Sequence, residues 1–142
     1  ADLIAAVKTA HSYITYCAPT PLQEGCAAAL EAATEDPVEI DGVAAEMEAR
    51  WESLAAALRG LGVEVCPAQG GYFLVCDVKS TGKTSVEFVE DLLTTKKVAG
   101  VPMDVFYFPT ENADPCTLVR FAICKQKETV DAAIDRLTGG SV

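Results

Sequence analysis

The chain has 142 residues, half of them apolar, and carries 21 Asp and Glu against 11 Lys and Arg for a formal net charge of −10. That is the size of one ordinary domain with enough apolar material for a core, which argues against disorder. A chain this acidic repels phosphate backbones and anionic lipid, no Lys/Arg cluster forms a basic patch, and no apolar stretch approaches the roughly 20 residues of a bilayer span, so nucleic-acid and membrane binding are not expected.

The sequence starts without an initiator Met or a basic-then-apolar leader, and on that ground it is expected to be a piece of a longer chain. Residues 1–10 carry Leu3, Ile4 and Val7 at helical spacing behind Asp2, and residues 11–19 read as an extended link. Thr20-Pro21-Leu22-Gln23 predicts a helix start, with Thr20 as N-cap, Pro21 at the first helical position and Gln23 closing a capping box. An apolar stripe of Leu22, Cys26, Ala29, Leu30 and Ala33 follows, and Pro37 breaks the helix. Asp41 is expected to cap a longer helix whose stripe is Val43, Met47, Trp51, Leu54 and Leu58, ended by Gly60 in the left-handed conformation.

Two short strands are predicted over residues 63–66 and 72–78, joined by Pro67-Ala68-Gln69-Gly70-Gly71. Thr84 and Glu87 form a second capping box, before a helix with Val86, Val89, Leu92 and Leu93 on one face and Lys96 and Lys97 at its negative end. Strands are expected around residues 98–105 and 117–124. A last helix carries Val130, Ile134 and Leu137 and stops at Gly139-Gly140.

The pattern predicts an α+β two-layer fold, a small and mostly antiparallel sheet covered by helices. Residues 1–40 have apolar stripes and no sheet of their own, so they are expected to serve an interface with another domain or subunit. Residues 41–142 are expected to form the domain proper.

The six cysteines (17, 26, 66, 76, 116 and 124) include no CxxC pair, and His11 has no ligand partner at metal spacing, so no metal site is expected. Their density is below that of disulfide scaffolds, and Cys66, Cys76 and Cys124 sit in apolar runs. Reduced thiols in an intracellular compartment, cytoplasmic or organellar, are the expectation, rather than secretion.

Arg120 is the most unusual residue. Period two places it with Leu118, Ala122 and Cys124, while Val119, Phe121 and Ile123 take the other strand face. A guanidinium among apolar neighbours needs a partner. A salt bridge to one of the acids, or a stem reaching the surface, would supply a structural account. A planar fork gripping a carboxylate would supply a functional one. The Gly70-Gly71-Tyr72-Phe73 turn is either a plain hairpin turn or a place where backbone approaches a ligand. Tyr13, Tyr16 and the run Phe106-Tyr107-Phe108 read more readily as packing than as recognition. No Ser-His-Asp set can be built around one histidine.

Four segments, in order, resemble the C-terminal part of class I/II, fold-type I PLP-dependent aminotransferases. They are ADLIAAVKTAHSYITYCAPTPLQEGCAAALEAA, LAAALRGLGVEVCPAQGGYFLVCDV, VAGVPMDVFYF and LVRFAICKQKETVDAAIDRL. The wording VPMDVFY is similar to the branch of kynurenine, glutamine–phenylpyruvate and methionine aminotransferases. The resemblance implies the small domain of such an enzyme, which moves an amino group between an amino acid and a 2-oxo acid as a homodimer. It implies that Arg120 binds the substrate α-carboxylate, that Tyr16 lines the partner subunit's site, and that Gly71 and Tyr72 lie near the substrate. The family's Schiff-base lysine, pyridine-nitrogen aspartate and phosphate cup match nothing here, so no catalytic or cofactor-binding residue is expected. PLP would belong to the intact enzyme, held by a large domain of the same chain, and this chain alone would be inactive. The alternative is a stand-alone, non-catalytic α+β interaction domain built on the same scaffold.

Overall fold

A computed structural model describes residues 2–107 and 114–139 of the chain, so Phe108 and Gly140 of the sequence reading lie outside the described residues. Contacts divide the chain into two units, Ala1–Gly42 and Val43–Val142.

The first unit holds α1 (Asp2–Thr15), α2 (Thr20–Glu35) and the start of α3 (Val38–Arg59). Neither α1 nor α2 has a buried residue. The start of α2 differs from the expected capping box. Pro19 occupies the N-cap, and its carbonyl accepts hydrogen bonds from the N–H groups of Leu22 and Gln23 at 2.9 and 3.2 Å. Proline has no N–H for a box to satisfy, and the Gln23 amide instead donates to the Ala18 carbonyl at 2.7 Å. The long helix starts at Val38 rather than behind Asp41. The Asp36 carboxylate accepts from the Val38 N–H at 3.2 Å, and the Asp41 N–H closes the first helical bond on Pro37 at 2.9 Å.

In the second unit α3 buries Leu54, Ala55, Ala57 and Leu58, with Met47 and Trp51 packed beside them. The left-handed glycine beyond its end is Gly62, at φ 80°, and not Gly60. Strands β1 (Glu64–Val65), β2 (Phe73–Asp77), β3 (Val101–Pro102) and β4 (Leu118–Ala122) form one antiparallel sheet in the order β1-β2-β4-β3. The expected strand over 98–105 is thus only two residues long. Pro102 has no N–H to continue a ladder, and the chain turns into a 3-10 segment, Met103–Phe106.

One sheet face presents Leu74 and Cys76 from β2 and Val119 and Phe121 from β4. With Val63, Val78 and Ile123 they pack against α3, against Phe88 and Leu92 of α4 (Ser85–Thr95), and against Leu137 of α5 (Lys127–Thr138). The buried face of α4 is Ser85, Phe88 and Leu92, with Val89 half-buried, while Val86 and Leu93 of the expected stripe are exposed. This is the expected two-layer arrangement, with α3, α4 and α5 packed on this one sheet face.

The Thr84–Glu87 capping box is present in both directions, Thr84 N–H donating to the Glu87 carboxylate at 2.8 Å and Glu87 N–H to the Thr84 hydroxyl at 3.3 Å. Hydrogen bonds from the Thr84 N–H and then its hydroxyl hold the Glu87 carboxyl below its ordinary value of 4.5. A depressed carboxyl stabilises the fold above its unfolded pKa, and that contribution is lost as the pH falls through the folded value. Glu87→Gln should therefore have a lower urea midpoint than the parent at about pH 7, with the gap closing as the pH falls below the ordinary carboxylate range.

All six cysteines are unpaired; Cys17, Cys26 and Cys124 are exposed and Cys76 is buried. Burial, helped by Cys66 and Asp77, pushes the Cys76 thiol up to about 12. Since the thiolate is the nucleophile, the exposed Cys17, Cys26 and Cys124 should alkylate first in the folded chain and Cys76 only on unfolding. Timed alkylation read by mass spectrometry checks the order.

Candidate functional site: an arginine between two aromatic rings

Arg120 stands at the middle of β4, where pairing fixes it from both sides. Val75 of β2 and Val101 of β3 are its register partners. Alternation puts Val119 and Phe121 into the core and leaves Arg120 half-buried on the open face. The strand expectation for this residue holds.

The guanidinium carbon lies 4.1 Å from the centroid of Phe73 and 4.7 Å from that of Phe106. Phe73 reaches it because it opposes Ala122, one diagonal step along the same face. Phe106 reaches it from the end of the 3-10 segment after β3. Among the described residues, Arg120 takes part in no ion pair, and no carbonyl or carboxylate accepts from its guanidinium. Asp77 is an acid of β2 on the same face by alternation, but its carboxylate accepts from the Lys79 N–H at 2.9 Å. The structural account by salt bridge therefore finds no partner among the described residues. A stem reaching toward the surface accounts for its half-buried state, and the same guanidinium, with five N–H donors in a planar fork close to two rings, is able to bind a carboxylate.

Gly70 and Gly71 take φ of 154° and 91°, and no Cβ at Gly71 would meet a neighbour, so its backbone faces open space. Tyr72 is exposed, and its carbonyl extends the ladder by accepting from the Ile123 N–H at 3.0 Å. Period two aligns Tyr72 with Leu74 and Cys76 and not with Arg120. Tyr16 belongs to the first unit, at φ 42° in the turn after α1, with its N–H on the Ser12 carbonyl at 3.1 Å. The two rings beside Arg120 were not singled out by the sequence. Phe73 sits two residues past Gly71 and Phe106 in a run that reads as packing; cross-strand register joins the first to Arg120, and the 3-10 segment after β3 brings in the second. A separate shallow cleft on the helix side, lined by Leu54, Val98, Phe121, Ala133 and Arg136 among others, includes none of these three residues. Among the described residues no cluster of His, Cys, Asp and Glu could hold a metal ion, and no helix is long and apolar enough to cross a membrane.

Comparison with known proteins gives one family. The model for aminotransferase class I and II matches residues 1–137. A probable N-succinyldiaminopimelate aminotransferase, DapC, of Mycobacterium tuberculosis is 37% identical over 97% of this chain and 36% of its own length. The solved structure of the M. tuberculosis enzyme superposes with a TM-score of 0.71 over 99% of this chain and 35% of the other. Methionine aminotransferase of Escherichia coli is 29% identical over 96% of this chain and 34% of its own length, and its structure gives a TM-score of 0.68. The chain thus spans about a third of the length of the curated relatives it matches. It belongs to the class I and II aminotransferase family.

Proposed function

We propose that this chain serves a PLP-dependent aminotransferase as the part that grips the α-carboxylate of an amino acid or 2-oxo acid, with Arg120 as the clamp. The observation that carries the reading is the guanidinium within 4.1 Å of the Phe73 centroid and 4.7 Å of the Phe106 centroid, with no acid of the described residues neutralising it. An arginine placed in this way, without a structural partner among the described residues, is suited to a partner that comes and goes.

The family's cofactor supplies the electron sink for amino-group transfer, and this chain's residues do not fit it. Of the seven lysines, Lys8, Lys79, Lys97, Lys125 and Lys127 are exposed and Lys83 and Lys96 half-buried. Lys83 is paired with Asp91 at 2.6 Å, and Asp131 pushes the pKa of Lys127 up rather than down. A lysine activated for carbonyl chemistry needs the opposite environment, desolvated or beside another cation. The cofactor site therefore belongs to a large domain outside this chain, and this chain is inactive alone. On the same reading, the exposed apolar residues of α1 and α2, among them Leu3, Ile4, Val7, Tyr13, Leu22 and Leu30, serve contacts with that domain and with a second subunit. The unpaired thiols are in keeping with an intracellular enzyme.

The test is a transamination assay with PLP, an amino acid and a 2-oxo acid, on this chain and on the full reading frame that encodes it. Activity confined to the longer product supports the proposal. An intact product with no activity on any amino acid supports a non-catalytic interaction domain instead.

A further inference from the structure

We infer that Phe73 and Phe106 are positioning residues: two plates that hold the plane of the Arg120 guanidinium so that only its edge is offered to a carboxylate. The inference rests on the clamp reading and goes beyond it, because it assigns a role to residues that would not touch the substrate carboxylate.

The two rings lie at stacking distance of one guanidinium, 4.1 and 4.7 Å from its carbon, and come from separate elements, β2 and the 3-10 segment after β3. Both rings are themselves exposed, Phe73 by 43% and Phe106 by 54%, so neither is explained as core packing. The arginine stem is fixed by ladder pairs on both sides, with Val75 and Val101. A fixed stem still leaves the terminal torsions of arginine free, and rotation about them would turn the fork away from any one direction. Two rings in contact with the cation restrict that freedom and keep water from part of its surface, leaving its remaining N–H groups for hydrogen bonds. A fork held in advance loses less freedom on gripping a carboxylate.

The experiment reads carboxylate binding apart from chemistry, through the competitive inhibition constant of propionate in the intact enzyme. Arg120→Ala should raise that constant at least tenfold. Phe73→Leu and Phe106→Leu should each raise it roughly two- to five-fold, the size of one cation–π contact, and raise KM for the amino acid with kcat little changed. Phe106→Trp, which keeps a π face, should restore the parent constant. In parallel, NMR of the 142-residue chain should show the side-chain protons of Arg120 shifted upfield by ring currents, the shift falling in each Leu variant. If Arg120→Ala weakens propionate and both Leu variants leave it unchanged, the plates have no positioning role and the clamp stands. If Arg120→Ala leaves propionate binding unchanged, the clamp reading fails and takes the plates' role with it. Absence of any ring-current shift in the parent chain would also overturn the inference.

Discussion

Replacing Arg120 with alanine should lower kcat/KM of the intact enzyme by roughly 10² to 10³, or more. Removing one partner of a charged hydrogen-bonded pair in a desolvated cleft costs about 2–5 kcal/mol, and each 1.4 kcal/mol is a factor of ten. Arg120→Lys should recover only part of the loss, since an ammonium cannot reproduce two parallel N–H bonds from one plane and stacks less well between rings. The fold should be little affected. Arg120 is half-buried, forms no ion pair among the described residues, and loses in the variant only its contacts with two exposed rings. PLP binding should persist, because on the proposed function the cofactor is held by residues other than Arg120. Steady-state kinetics beside thermal unfolding checks both halves. Near-normal turnover in an unstable Arg120→Ala protein would make Arg120 a structural residue.

How far the sequence could be read depended on how local the deciding chemistry was. The Thr84–Glu87 box lies within four residues and was visible as such. The alternation of 118–124 placed Arg120 opposite Val119 and Phe121 for the same reason, since period two needs no knowledge of neighbouring strands. Prolines defeated the local rule twice. Pro19 took the cap position that Thr20 was expected to hold, and Pro102 cut the third strand to two residues. At the site itself, Arg120 was legible as unusual because a guanidinium in an apolar strand stands out, while its proposed role as a substrate clamp came from the resemblance. Its flanking rings were not, because Phe73 meets Arg120 only through the register that pairs it with Ala122, and Phe106 only through the turn that Pro102 introduces. No window of sequence contains those three residues together. The resemblance to the aminotransferases implied a role for Arg120 and ran through both rings without giving them one.

The largest loss of stability is expected one residue away from the largest loss of activity. Phe121 is 3% exposed, sits opposite Leu74 in the central strand pair, and packs among residues of α3, α4 and α5. Its ring also lies close against the backbone of Gly100, where an added Cβ would stand 3.0 Å from Cε1. Phe121→Ala removes a large apolar group from a close-packed interior, and both the lost burial and the cavity left behind count, for about 3–5 kcal/mol. A domain of this size has a total of about 5–15 kcal/mol, so the variant should unfold at much lower urea and be partly unfolded at body temperature. Gly100→Ala cannot compensate by filling the space from the other side, because Val119 Cγ1 at 2.9 Å blocks the same position. Urea midpoints of Phe121→Ala and Arg120→Ala in the same background make the comparison. A large drop for Phe121 with almost none for Arg120 is the expected pair, and the reverse order would mean that β4 presents its faces the other way round.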